Sequence, residues 1–209
     1  MWFGFIASAV IVLAALIFAP WRSFFSVSHR VLLWLAYSAI MGFVWLLKVE
    51  LSAVIVVHLS MMSAAVFLFG LPLAIIAGVF GLVAVQLVMA IDLHNLGLNF
   101  LLSVAYPVFG AAIALQVVTR IPFNNLFVFI LGGGFFGAVF TVIFTVINAY
   151  AIFWIFNAWS LEVILEDHFW LYGMSLFPEG FINGATISTI TVLWPDLVKS
   201  YDDKRYLGD

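Results

Sequence analysis

The side chains in this chain best able to hold a cation sit inside long apolar stretches. His58 lies within Leu51 to Met89, 39 residues without Lys, Arg, Asp or Glu, whose other polar side chains are three serines and Gln86. A neutral imidazole offers a ring nitrogen to a transition metal. Glu179 offers a carboxylate and Asn99 an amide oxygen. Met61 and Met62 follow His58 at i+3 and i+4, and on a helix that spacing sets a soft thioether beside the imidazole. His94 belongs to Asp92-Leu93-His94-Asn95, the densest polar cluster in the middle of the chain. Ionisable groups inside a membrane span are expensive and mark function by default. Each also has a plain structural alternative: a hydrogen-bonded packing histidine, a glutamate bonded to nearby backbone, and methionines that fill the core.

The elements that must position these residues are membrane helices. Of 209 residues, 67% are hydrophobic and only 8% charged, against roughly 25% charged in soluble domains. The mean hydropathy is +1.26. A span takes about 20 apolar residues, so Leu51–Met89 is too long for one and suits two. Gly70-Leu71-Pro72 marks the break, with Gly suited to the turn and Pro to a helix start. The expectation is a pair of helices, Leu51–Phe69 and Leu71–Met89. Around it the sequence predicts spans at Trp2–Ala19, Val31–Leu47, about Leu98–Val118 with a kink at Pro107, one from near Phe123 with an open end beyond Asn148, and about Tyr172–Leu193. The fold class is then an all-α polytopic membrane protein, a bundle of about seven transmembrane helices forming one domain over residues 1–209. Trp2–Ala19 is long for a signal-peptide core and lacks a basic lead, so it reads as a span.

Seven spans would put the ends of the chain on opposite sides. Arg22, Arg30, Arg120, Lys199, Lys204 and Arg205 fall on the C-terminal side and Lys48 alone on the other. Basic residues stay inside, so the C-terminus is expected in the cytoplasm and the N-terminus outside. The outer side then collects Glu50, Asp92, His94, Glu162, Glu166, Asp167 and His168. From that side His58 lies roughly 10 Å deep at 1.5 Å per helical residue. Glu179 reaches a similar depth, and Asn99 opens span five near the same level. Three helices thus converge on one polar layer. Gly180, Gly184 and Ser188 form a small-residue strip along which another helix can approach closely.

Other chemistries find no support. Without cysteine there are no disulfides, thiolate metal sites or iron–sulfur clusters. No phosphate-binding Gly-rich loop with its Lys, no Ser/His/Asp set and no basic aromatic face for nucleic acid is present. Gly132-Gly133-Gly134 lies in a span and reads as packing. Lys48 sits at a span end, away from where a Schiff base would form. The expectation is a protein that is not an enzyme and has no catalytic residues.

Several stretches together carry a family likeness: Ala19-Pro20-Trp21-Arg22, His58-Leu59-Ser60-Met61, Phe69-Gly70-Leu71-Pro72, Leu96-Gly97-Leu98-Asn99, Gly133-Gly134-Phe135-Phe136-Gly137, Phe177-Pro178-Glu179-Gly180-Phe181-Ile182-Asn183-Gly184 and Asp202-Asp203-Lys204-Arg205-Tyr206-Leu207. Nearly the whole chain resembles the CbiM/NikM type of substrate-binding membrane subunit of energy-coupling factor transporters for cobalt and nickel, most of all its short proteobacterial branch. The resemblance implies a seven-helix bundle in the bacterial inner membrane and a transition-metal ion (Ni, Co or Cu) as substrate. It also implies a transmembrane coupling subunit and cytoplasmic ATPases as partners. In that family a Met-His start and a histidine of span three hold the ion. Met1 and His58 stand at matching positions here, but Trp2 replaces the family's second histidine. Met61 or Met62 would then tilt selectivity toward copper. The candidate metal residues are therefore His58, Glu179, Asn99, His94, Met61 and Met1. The alternative reading is a non-transporting structural or assembly subunit of a larger membrane complex on the same scaffold. An intramembrane enzyme ranks last.

Overall fold

The computed structural model describes residues 2–47, 49–50, 56–89, 95–122, 125–155 and 169–207. Among them the chain is almost entirely helical. In order come α1 (Trp2–Phe18), α2 (Trp21–Phe25), α3 (Ser28–Leu46), a two-residue strand pair β1 (Val49–Glu50) and β2 (Val56–Val57), α4 (Met62–Phe69) and α5 (Leu71–Met89). Then follow α6 (Leu96–Arg120), α7 (Val128–Ile155), α8 (Phe169–Leu193), a 3-10 turn at Pro195–Leu197 and α9 (Asp203–Tyr206). Among the described residues four helices are long and apolar enough to cross a membrane: α3, α5, α6 and α7, with α1 a shorter apolar helix. The outward faces of α1 and α3 carry Ile6, Val10, Leu13, Leu32, Leu35 and Phe43 exposed, as expected of a surface solvated by lipid tails rather than water.

The expected helix over Leu51–Phe69 is the largest correction. Val56–Val57 is extended and pairs antiparallel with Val49–Glu50. Residues 58–61 are irregular, and only Met62–Phe69 is helical. β-branched residues favour extended backbone, and apolar composition alone does not distinguish a helix from a strand entering a bundle. His58 is therefore not on a helix, and the helical i+3 pairing of His58 with Met61 is not formed. Met61 instead precedes α4 in the left-handed region (φ 57°), the one positive-φ residue other than glycine among those described.

α4 is the centre of the molecule. All eight of its residues are buried, and it packs against α5, α6, α7 and α8. A short helix that is apolar all round needs such complete enclosure. Phe67 meets Phe129 of α7 edge-on, and Phe129 in turn contacts Tyr201 and Tyr206, which stack on each other at 5.5 Å. The C-terminal stretch, expected as a charged tail, is thus docked beneath the bundle, with Val198 and Tyr206 buried.

The remaining expectations fare better. α5 has the bounds expected of it, and α1 and α3 differ from theirs by a few residues. Pro107 lies inside α6 two residues after a π-helical turn, Leu101–Ala105. Such a turn is one way a membrane helix absorbs the donor that proline lacks. α7 opens with a longer π-helical stretch, Val128–Phe136, that includes the three glycines. There Gly134 faces Gly184 of α8 so closely that a Cβ on Gly134 would lie 3.2 Å from the Gly184 Cα. A Cβ on Gly184 would meet Phe135 backbone and side chain at 3.3–3.4 Å. Gly184→Leu therefore has to separate α7 from α8. Its melting temperature in detergent should drop well below the parent's, while an unchanged melt would mean that the two helices are not in contact there.

Candidate functional site

The break before α4 leaves polar backbone inside the bundle. In lipid every such group needs a partner, and here the partners are side chains from two other helices. On the donor side, Glu179 of α8 accepts from Ser60 N at 2.6 Å and from Met61 N at 3.1 Å, both through Oε1. Asn183, one turn further along α8, accepts from Ala64 N at 2.8 Å. It also donates to the Glu179 carbonyl at 2.8 Å and reaches Oε2 at 3.3 Å. On the acceptor side, Tyr37 and Trp45 of α3 donate to the carbonyls of Met61 (2.5 Å) and Ser60 (3.0 Å). The first turn of a helix normally finds caps in its own neighbouring sequence. Beside one local bond, from Met62 N to Ser60 Oγ at 3.4 Å, α4 takes the caps of Ser60 N, Met61 N and Ala64 N from residues more than a hundred positions away.

The other end of α4 is closed the same way. Lys199 N donates to the Leu68 carbonyl at 3.0 Å, and the backbone N–H and hydroxyl of Ser200 both reach the Phe67 carbonyl, at 3.3 and 2.7 Å. The Lys199 side chain lies over Gly70. Burial holds its ammonium below the usual lysine value, and the nearby Arg30 adds to that. Arg30 donates to the Asp196 carbonyl, and Arg205 to the Thr119 carbonyl at the end of α6. Arg30, Lys199, Arg205 and the end of α6 therefore meet at one end of the bundle.

Toward the opposite end opens a cavity of about 500 Å³. Three residues singled out in the sequence line it together: His58 before α4, Asn99 on α6 and Glu179 on α8. The His58 ring lies 5.3 Å from Trp45, and its Nδ1 is 3.4 Å from the Leu59 carbonyl. Met61 is not in the wall; it is packed in the core. Met1 and His94 lie outside the described residues, as do Lys48, Asp92 and the acidic stretch 162–168. Among the described residues no three His, Asp or Glu side chains stand close enough to share a metal ion.

The wall also contains residues that were not singled out. Gln86 of α5 is buried, and neither its amide nitrogen nor its oxygen has a partner among the described residues. Thr141 and Thr145 of α7 line the cavity one turn apart, each bonded to the carbonyl four residues back. Ser103 stands four residues after Asn99. The available signals were a lone glutamine in an apolar span, and i, i+4 polar pairs on α6 and α7. The chain is membrane-embedded by its four long apolar helices. Compared with protein-family models, curated proteins and solved structures, it matches none.

Proposed function

We propose that this protein is the integral-membrane substrate-capture subunit of an energy-coupling-factor-type transporter, taking a transition-metal ion of the cobalt/nickel class. The observation that carries the reading is that His58, Asn99 and Glu179, drawn from three distant segments, wall one cavity. A discontinuous helix beside a cavity is a recurring way to build a substrate site within a bilayer. The fold would make seven passes, the third completed by α4. The cavity would open on the outer side of a bacterial inner membrane. The basic end, with Arg30, Lys199 and Arg205, would face the cytoplasm. There a transmembrane coupling subunit and ATPases would dock. His58, as neutral imidazole, offers the ion a nitrogen, and Asn99 an oxygen. Glu179 holds the wall and supplies negative charge behind it.

The test is metal content together with calorimetric titration of protein purified without a polyhistidine tag, using nickel, cobalt, zinc and copper. Binding to the parent should be lost in His58→Ala and weakened less in Glu179→Gln. Uptake should release protons once the pH is low enough to protonate His58, because only the neutral ring coordinates. If the parent binds none of the four, the capture reading fails. Orientation has its own check: a reporter fused after Asp209 should be active only if it is one that works in the cytoplasm.

A second reading has an observation in its favour. Glu179 and Asn183 are already engaged as caps on α4, so a buried carboxylate is explained without a ligand. On this reading the protein is a structural or assembly subunit of a larger membrane complex. His58→Ala would then leave its cellular role intact.

A further inference from the structure

We infer that the cleft between the start of α3 and the segment after α8 binds a phospholipid whose headgroup carries both a phosphate diester and a primary ammonium. This site is separate from the cavity beside His58 and needs only that the chain is embedded in a membrane.

Position is the first argument. The cleft, of about 420 Å³, is lined by Arg30, Lys199 and Lys204 and by Asp196, Asp202 and Asp203. It lies where membrane helices end: Arg30 is in the first turn of α3, and Asp196 comes just after α8. Trp21 follows the end of α1 and Trp194 the end of α8, as tryptophans do at a membrane–water boundary. On the segments that flank the cleft, Phe25, Leu193 and Trp194 are exposed, a surface along which acyl chains can lie. Basic pockets between helix ends are a recurring way to hold a lipid headgroup.

Charge is the second argument. Arg30 donates to the carbonyls of Ser23 at 3.3 Å and Asp196 at 3.0 Å. Those carbonyls fix the guanidinium but leave its charge unneutralised. The Lys199 side chain crosses Gly70, where a Cβ would lie 2.8 Å from Nζ. Burial and then the charge of Arg30 hold its ammonium below the usual lysine value. Two cations kept within reach of each other favour an anion between them, and a phosphate diester accepts charge-assisted bonds from both.

The carboxylates are the third argument, because they select the rest of the headgroup. Asp196, Asp202 and Asp203 share the cleft with an equal number of cations. A ligand with negative charge alone meets repulsion there. Asp202 and Asp203 stand at the start of α9, in the docked tail. The phosphate therefore sits on Arg30 and Lys199, and the ammonium on Asp202 and Asp203. A lipid held this way ties the tail to α3. It also fastens the lower end of α4, because Lys199 N and Ser200 N bond the Leu68 and Phe67 carbonyls.

The experiment titrates delipidated full-length protein in detergent with phosphatidylethanolamine, phosphatidylglycerol and phosphatidylcholine of identical acyl chains, and with soluble glycerophosphoethanolamine. Native mass spectrometry reads affinity, and thermal melts read stabilisation. Phosphatidylethanolamine should bind about tenfold more tightly than the other lipids, since phosphatidylglycerol lacks the ammonium and the methylated ammonium of phosphatidylcholine cannot donate a hydrogen bond. It should also raise the melting temperature. Lys199→Ala, which keeps the backbone bond to Leu68, should lose about tenfold in affinity for phosphatidylethanolamine. The double variant Asp202→Asn with Asp203→Asn keeps an acceptor for Lys204 N and should bind phosphatidylethanolamine and phosphatidylglycerol alike. That ratio is read within one variant, so a general loss of stability does not imitate it. Phosphatidylglycerol or phosphatidylcholine binding the parent as tightly as phosphatidylethanolamine overturns the proposal. So does Lys199→Ala binding like the parent, or a double variant that keeps the parent's preference. Glycerophosphoethanolamine binding as tightly as the lipid overturns it too, because the ligand is then a soluble phosphodiester.

Discussion

Glu179→Leu should lower the melting temperature of this protein by roughly 10 °C, whether or not any ligand is present. The reason lies in the backbone of the break rather than in the cavity. Glu179 Oε1 is the acceptor for Ser60 N and Met61 N, and leucine offers neither donor a partner. Each buried N–H left unpaired costs about 1–3 kcal/mol, more where the lost acceptor is ionised. For a chain of this length about 2–4 °C accompanies each kcal/mol. Asn183 would also lose one of its contacts, though it keeps Ala64 N and the Glu179 backbone carbonyl. Glu179→Gln keeps an acceptor oxygen in place and should cost only about 1 kcal/mol, the worth of an ordinary hydrogen bond. The ordering parent, Gln, Leu is the signature of a cap. A leucine variant that melts like the parent would show that α4 is not held from α8.

That cap also marks where the sequence stopped being legible. Composition and run lengths located the apolar helices, because a bilayer selects length and hydropathy directly. Gly70-Leu71-Pro72 gave the start of α5 to the residue, since a turn glycine and an early proline each have one favoured position. His58, Asn99 and Glu179 do line one cavity, but the helical depth counted for His58 did not apply, because residues 56–61 are not helical. The break over residues 58–61 was not legible. It is stable only because Tyr37, Trp45, Glu179 and Asn183 take up its backbone groups. Such partners, distant in sequence and from different helices, leave no periodic mark near the break. The docked tail was hidden for the same reason: Lys199, Ser200, Tyr201 and Tyr206 read as a charged terminus until they meet Phe67, Leu68 and Phe129.

Gly70→Ala is the second substitution with a large expected cost, and its origin can be split into two parts. Gly70 sits at φ 81°, ψ 165°, a region open essentially to glycine alone, where another residue costs about 1–3 kcal/mol. A Cβ there would also lie 2.8 Å from Lys199 Nζ and 3.0 Å from its Cδ. The lysine side chain is long and could swing aside, but its backbone N–H is bonded to the Leu68 carbonyl. Moving the chain at Lys199 therefore threatens the C-terminal cap of α4. Lys199→Ala alone keeps that backbone bond and should change the melting temperature little. The double variant Gly70→Ala with Lys199→Ala removes the collision but not the backbone strain, so it should melt between Gly70→Ala and the parent. Thermal melts of the parent and these three variants in one detergent decide the matter. If the double variant is no better than Gly70→Ala, the cost is backbone strain alone. If Gly70→Ala melts like the parent, the turn between α4 and α5 is not held in the left-handed region, and the tail does not lock α4 from below.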